Sequence, residues 1–438
     1  MTDPAAGTSG RRASDIHRTI EAVWRIESAK LIAGLARIVR DIGVAEDLAQ
    51  DALVAAIEQW PRSGVPENPG AWLMATGKHR AIDRFRRDKM LEQKHAEIAR
   101  DEAGRPEAAM PDLDAAIDDP IGDDLLRLIF TACHPVLSTE ARAALTLRLL
   151  GGLTTEEIAR AFLVPAPTVA QRIVRAKRTL AEARVPFEVP RGNELAARLD
   201  SVLAVIYLIY NEGYAATGGE DWMRPGLCED ALRLGRILAE LLPKEPEVQG
   251  LVALMELQAS RMRARLGPTG EPVLLLDQDR GRWDQLFIHR GLAALDRAEK
   301  LGGARGPYAL QAAIAASHAR ACTAVETDWA RIAALYDALA EVAPSPIVEL
   351  NRAVAVGMAF GPEAGLELVD ELRGEAALAS YHLLPAVRGD LLVKLGRLEE
   401  ARTEFERAAS LTQNAREQRL LTERAAACAC LAQGREGS

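Results

Sequence analysis

Residues 154–177 read TTEEIARAFLVPAPTVAQRIVRAK, and their pattern is that of two short amphipathic helices joined by a tight turn. Thr154 followed three residues later by Glu157 is a capping box, in which each residue satisfies a free backbone N–H of the first turn. Ile158, Ala159 and Phe162 share the inner face of the first helix. Val164 sits in the turn with Pro165, and Pro167 suits the first turn of the second helix. Val169, Ile173 and Ala176 form the inner face of that helix. The small Ala159 lets the two helices cross closely, at the steep angle of a helix-turn-helix. Thr168, Gln171, Arg172, Arg175 and Arg178 are left on the outer face. A helix lying in the major groove reads base edges from its N-terminal residues and grips phosphate with later ones. Thr168, Gln171 and Arg172 are therefore candidate base readers, and Arg175, Lys177 and Arg178 candidate phosphate contacts. The alternative is a plain helical hairpin with an exposed basic face.

The surrounding segment, 121–187, has the punctuation of a small helical domain. Ser138 can cap a helix over Thr139–Leu150 that stops at Gly151-Gly152. The second helix of the motif reaches about Ala183. Upstream, residues 14–90 are helical by pattern. One helix covers roughly His17–Ile42 and ends near Gly43, another begins near Ala45 and runs to Trp60, and a third follows the Pro/Gly-rich loop 61–70 and covers about Ala71–Arg87. Between the two domains, residues 91–120 are polar and acidic, broken by Gly104, Pro106, Pro111 and Pro120, and read as a flexible linker whose first part can extend the preceding helix.

The chain carries a net charge of -9 over 438 residues, which argues against a uniformly basic nucleic-acid binder but not against local patches. Residues 78–94 hold seven Lys/Arg against three Asp/Glu, and residues 172–184 hold five against one. Residues 101–124 hold one Arg against nine Asp/Glu, so an acidic stretch separates two basic islands. Affinity for DNA rests on such islands, because phosphate contacts dominate it; solvated charged faces are the plain alternative. The upstream island mixes Lys78, His79, Arg80, Arg84, Arg86 and Arg87 with Trp72 and Phe85. Basic side chains beside aromatics suit single-stranded DNA, whose unpaired bases can stack, although Trp72 and Phe85 equally suit a core.

Aromatic residues make up only 4% of the chain, while Ala, Leu, Arg and Glu abound, a mix that favours helix over strand. Cys133, Cys228, Cys322, Cys428 and Cys430 form no Cys-x-x-Cys pair, which speaks for reduced thiols in the cytosol and against a zinc site or a disulfide framework. The first ten residues have no apolar core, so no signal peptide is expected, and the most apolar stretch, Leu199–Tyr210, is too short to span a bilayer.

Residues 193–434 are helical throughout, with breaks at Gly213, Gly218-Gly219, Pro243, 267–272, 302–307, 344–346, Gly361-Pro362 and Gly374. A weak repeat ends this segment. Glu400-Ala401 and Glu404-Phe405 echo Glu363-Ala364 and Glu367-Leu368. Gly389, Ala401, Phe405 and Ala408 have the spacing of a tetratricopeptide repeat, with Tyr336 and Pro344 one unit earlier. An ordinary helical domain is the alternative. From residue 191 onward there are 28 basic against 35 acidic residues, so the segment suits protein contact or self-regulation better than DNA.

The first 190 residues resemble the extracytoplasmic-function sigma factors of bacterial RNA polymerase. Ala45-Glu-Asp-Leu-Ala-Gln-Asp51, then Asn68-Pro-Gly-Ala-Trp-Leu73, then Arg80-Ala-Ile-Asp-Arg-Phe-Arg-Arg87 are similar to sigma region two in order and spacing. Leu145–Leu180 is similar to region four. The resemblance implies a factor that binds core RNA polymerase, recognises a promoter and opens it. It implies that Glu46, Asp47, Leu48, Gln50 and Asp51 belong to the helix that docks on the β′ subunit, with β as the other polymerase contact. It further implies that Asn68, before Trp72, captures a flipped base of the minus-ten element. Lys78, Arg80, Arg84, Arg86 and Arg87 would hold the melting strands, and the outer face from Thr168 to Arg178 would read the minus-thirty-five element. The long extension resembles the tetratricopeptide-type one of a subgroup of the family. Tyr207-Leu-Ile-Tyr-Asn-Glu-Gly-Tyr214, followed by Trp222, is similar to its leading motif. There Asn211 and Gly213 suit a helix end, and Glu212 with Tyr214 could contact the sigma core or another protein.

The expectation is an all-α protein of three parts, two small sigma domains and a helical-repeat extension, acting on chromosomal DNA in the cytosol without covalent chemistry. A helix-turn-helix repressor or activator with a helical sensor domain is the closest rival, and it would not need the region-two constellation. A repeat scaffold with an incidental helix-turn-helix comes next. An enzyme is disfavoured. Cys133-His134 is the only adjacent Cys/His pair, His289 and His382 are isolated, and there is no phosphate-cradling glycine loop, acid pair or metal-ligand spacing, so no cofactor or metal is expected.

Overall fold

The computed structural model describes residues 5–98, 121–162, 164–215, 223–268, 270–302 and 305–436. Most of the acidic linker, Leu163 and Trp222 lie outside them. The described residues are helices joined by turns, with no strand and one isolated bridge between Leu266 and Pro272. The chain divides into two compact units, Met1–Val205 and Ile206–Ser438.

Three helices open the first unit: α1 (Ala5–Val39), α2 (Ile42–Ser63) and α3 (Pro69–Ile98). α1 buries Leu31, Ile32, Leu35 and Ile38 against its neighbours. Gly34 and Gly77 let α1 and α3 approach, since a Cβ on Gly34 would stand 2.7 Å from Met74 Cε and one on Gly77 3.0 Å from Leu35 Cδ1. α2 starts at Ile42 rather than near Ala45, because the Asp41 side chain accepts the Val44 N–H and caps it. It runs past Trp60 through Pro61 and ends at Gly64, whose φ of 84° is left-handed. α3 continues through the first residues expected of the linker.

The rest of this unit is built from α4 (Ile121–Ala132), α5 (Thr139–Thr146), α6 (Thr155–Phe162) and α7 (Ala166–Glu182). α5 is capped by Ser138, as expected, but gives way to a π-turn over Leu147–Gly151 that closes on Gly152. Gly152 has φ 72°, and a Cβ there would stand 3.0 Å from the Ser28 hydroxyl of α1, so the turn ends tightly against the first module. α4 is tied to α1 by Arg37 and Asp124 at 2.9 Å. The first half of α8 (Asn193–Tyr214) also belongs to this unit. Arg198 donates to the Phe130 carbonyl at 2.8 Å, and the Ser201 hydroxyl to that of Cys133 at 2.7 Å.

The second unit holds the end of α8, then α9 (Pro225–Leu241), α10 (Pro246–Ala259), α11 (Gln285–Lys300), α12 (Pro307–Arg320), α13 (Trp329–Val342), α14 (Pro346–Phe360), α15 (Pro362–Glu371), α16 (Leu383–Lys394), α17 (Leu398–Leu411) and α18 (Ala415–Glu436). α16 and α17 form the hairpin that the repeat spacing predicts. Ala401, Phe405 and Ala408 are buried, and a Cβ on Gly389 would stand 2.8 Å from the Phe405 ring. Gly357 and Gly365 allow the same close approach between α14 and α15.

Candidate nucleic-acid interface

The helix-turn-helix forms as its spacing requires. Glu157 N–H donates to the Thr154 hydroxyl at 3.1 Å and Thr154 N–H to the Glu157 carboxylate at 2.8 Å. Val164 N–H closes the turn on the Ala159 carbonyl at 3.0 Å. Ile158, Ala159, Val169, Ile173, Ala176 and Leu180 are buried between α6 and α7. Gln171, Arg175 and Arg178 are thereby exposed on the outer face of α7, while Thr168, Arg172 and Lys177 are half-buried. Arg178 is also within 3.4 Å of Glu182, one turn on. Val174 stands among these residues at 65% exposure. Sequence reasoning passed over it, although an apolar residue outside the inner-face periodicity was the available signal.

The Asn68 loop and α3 make the second surface. Asn68 is exposed and caps α3, its side-chain oxygen accepting the Ala71 N–H at 3.0 Å. Trp72 is half-buried and meets the fully buried Trp60 edge to face, ring centroids 5.4 Å apart. Trp60 is thus the support of that loop, a role that a lone Trp at a helix end does not announce. Arg80, Arg84, Arg86 and Arg87 are exposed along α3 and Lys78 is half-buried. Arg80 lies 4.0 Å from Asp51. Leu48, Asp51, Asp83 and the guanidinium-bearing Arg80, Arg84 and Arg87 line a small cleft of about 140 Å³.

The residues expected to meet polymerase divide between two faces of α2. Asp47 and Asp51 are exposed, one turn apart, and continue into exposed Val54 and Glu58 as an acidic and apolar stripe. Leu48 and Glu46 point inward and are each 3% exposed. Gln50, half-buried, donates to the Glu46 carboxylate at 2.7 Å. Arg148, from the π-turn after α5, donates to the same carboxylate at 2.7 Å, and Lys177 of α7 forms an ion pair with it. Burial by itself raises the Glu46 carboxyl, but Lys177 and then Arg148 outweigh it and hold the group below the usual carboxylate range. Glu46, expected on a polymerase surface, and Lys177, expected on a DNA phosphate, are therefore engaged with each other.

The leading motif of the extension is drawn into its own unit. Asn211 and Gly213 lie in the last turn of α8, which ends at Tyr214 as their spacing suggests, and Gly213 also serves close packing, since a Cβ there would stand 2.7 Å from the Cys228 nitrogen of α9. Glu212 pairs with Arg224. The Tyr214 ring stacks on Tyr210 at 5.7 Å and lies under the Arg265 guanidinium at 3.7 Å. Among the described residues no cluster of His, Cys, Asp and Glu could hold a metal ion, and no helix is long and apolar enough to cross a membrane.

Comparison with known proteins joins these surfaces. Sigma-70 region 2 matches residues 27–90 and Sigma-70, region 4 matches residues 127–180, while a family of unknown function (DUF6596) matches residues 198–299. The chain is 44% identical over 394 residues to an uncharacterized protein of Rhizobium meliloti (strain 1021), covering 88% of this chain and 90% of that one. It is 28% identical over 173 residues to a probable ECF RNA polymerase sigma factor, SigI, of Mycobacterium tuberculosis, covering 40% of this chain and 58% of that protein. It is 29% identical over 153 residues to the ECF RNA polymerase sigma factor SigK of Mycobacterium ulcerans, covering 33% of this chain and 75% of that protein. Region-two and region-four modules in this order, with these sigma factors among the relatives, place the chain in a family: it belongs to the extracytoplasmic-function sigma factors, with a C-terminal extension.

Proposed function

We propose how this alternative sigma factor divides its labour. The Asp47–Asp51 stripe of α2 docks on the β′ subunit of core RNA polymerase, with Gln50 at its margin. The Asn68 loop receives a flipped minus-ten base, and Lys78, Arg80, Arg84, Arg86 and Arg87 hold the separating strands. Thr168, Gln171 and Arg172 read the minus-thirty-five element while Arg175, Lys177 and Arg178 grip phosphate, Val174 adding an apolar contact. Glu46 and Leu48 support α2 from within. The extension, acidic overall, regulates through protein contacts; the protein acts in the cytoplasm and carries out no covalent chemistry.

The observation that carries this reading is the separation of exposures on one unit: acidic and apolar on α2, cationic on α3 and on α7. An acidic stripe is repelled by DNA and suits a protein partner, whereas the cationic faces suit phosphate. The test is transcription in vitro with purified core polymerase and the full-length chain, beside Asp47→Ala and Arg175→Ala. Start-site-specific RNA that depends on the chain, lost through core affinity in the first variant and through promoter affinity in the second, is the expected result. DNA binding without any such RNA would instead favour a helix-turn-helix repressor or activator.

A further inference from the structure

Within the second unit, the end of α8, the turn after α10 and the segment before α11 bring three arginines and two aromatic rings into one row. Arg265, Tyr214, Arg261, Trp283 and Arg280 alternate, with guanidinium-to-centroid distances of 3.7, 5.9, 5.8 and 4.9 Å in that order. The two outer cations are spent on the backbone. Arg265 donates to the Tyr214 carbonyl. Arg280 donates to the His318 and Ala321 carbonyls at 2.6 and 2.7 Å and to the Thr327 hydroxyl at 2.9 Å. Arg261 differs. It is half-buried, and among the described residues no acceptor meets its N–H groups and no carboxylate pairs with it.

The charge at this point is felt by its neighbours. Burial first, and the nearby Arg261 after it, lower the proton affinity of Arg265, Arg280 and His318. His318 is pushed down to about 3 and is therefore neutral at pH 7. It is 7% exposed, and its Nδ1 has no hydrogen-bond partner. A guanidinium carries five donors and no acceptor, and a neutral imidazole carries one donor. Buried polar groups without partners are few in a folded domain and each calls for a reason. Here a bare cation and an unmet ring nitrogen share one place. Half-buried Tyr336 lies in the field of the same cation and adds an aromatic surface. Arg261 is the single unspent cation of the row, so the place suits one compact anion rather than an acidic chain.

We propose that the extension holds a binding site for a small organic oxyanion, a carboxylate or phosphate group on a compact apolar body. Arg261 grips the oxyanion, His318 donates to it from Nδ1, and the apolar body lies against Tyr336. The site stands whether or not the promoter contacts are as assigned above, since it lies wholly in the second unit.

The test is ligand-observed NMR on the full-length chain. Benzoate and phenyl phosphate are the probes, with acetate and inorganic phosphate as competitors that lack the apolar body. Saturation transfer to the ring protons of at least one probe is expected, with a Kd of about 1 mM or tighter. Preference for either probe supports the site and identifies the group. Arg261→Met keeps the aliphatic stem between the rings and should weaken binding about tenfold or more, the loss expected for charge-assisted hydrogen bonds. His318→Phe keeps a ring against Trp329, 5.2 Å away, leaves Arg261 in place and should weaken binding about threefold, as for one neutral hydrogen bond. It carries the test if calorimetry shows that Arg261→Met is unfolded. Arg407→Met removes an exposed arginine of α17 and should bind as the parent does. No transfer to either probe, or binding that both site variants leave unchanged, would overturn the site. So would binding that Arg407→Met weakens as much as Arg261→Met, or equal competition by acetate or inorganic phosphate.

Discussion

Replacing Trp60 with Ala tests how the Asn68 loop is supported. The indole is 1% exposed and meets Trp72 edge to face at 5.4 Å. Deleting a buried aromatic removes its transfer free energy and leaves a cavity, together about 3–5 kcal/mol, of which the edge contact accounts for about 0.5–1.5 kcal/mol. For a compact unit of the size of Met1–Val205, each kcal/mol moves the midpoint by about 2–4 °C. The transition of that unit should therefore fall by about 10 °C in differential scanning calorimetry. Trp60→Phe keeps a ring for Trp72 and should recover more than half of the loss. In transcription at a temperature where the variant is still folded, Trp60→Ala should lose initiation at a duplex promoter more than affinity for the minus-thirty-five duplex, because Trp72 is no longer held beside Asn68. A midpoint shift under about 2 °C, less than 1 kcal/mol at this size, would refute the claim that Trp60 is the support.

Arg172→Ala should weaken minus-thirty-five binding by about 1–3 kcal/mol and relax sequence preference there; equal binding of matched and mismatched duplexes by parent and variant alike in a mobility-shift titration would remove the groove assignment. Asp47→Ala should reduce affinity for core polymerase and leave duplex affinity within about twofold, and an unchanged core affinity by fluorescence anisotropy would take the docking role from the α2 stripe. Because the folded Glu46 carboxyl is held below its ordinary value of 4.5, its contribution to stability is present above that value and lost as pH falls through the folded one. Parent and Glu46→Gln should therefore differ in urea unfolding at pH 7 and converge toward pH 3; a gap that persists unchanged at pH 3 would contradict the ion-pair account.

Local signals made the helix-turn-helix legible. The capping box Thr154/Glu157 and the burial of Ile158, Ala159, Val169, Ile173 and Ala176 follow from helical spacing within one short stretch. The exposure of Asp47 and Asp51, four residues apart, follows equally. The start of α2 is not legible in the sequence because Gly43 reads as a helix stop, whereas it lies in the first turn after the Asp41 cap and has no left-handed φ. The π-turn at Leu147–Gly151 has no sequence mark. A docking role for Glu46 follows only from the resemblance to region two, and what draws its side chain inward is Arg148, 102 residues away in the chain. Long-range ion pairs leave no periodicity to read. The same holds for Gly213, whose place at the end of α8 is legible but whose close approach to Cys228 of the following helix is not.

Asn68 has one consequence for base chemistry. Its side-chain oxygen accepts the Ala71 N–H, which uses one of that oxygen's two lone pairs and leaves both hydrogens of the amide NH₂ unspent. A nucleobase seated there meets more donor than acceptor capacity, which favours an edge with a carbonyl oxygen or a bare ring nitrogen over one with an exocyclic amine. Asn68→Asp would preserve the helix cap while turning the outward group from donor to acceptor, and so would shift which edges of a base the loop favours.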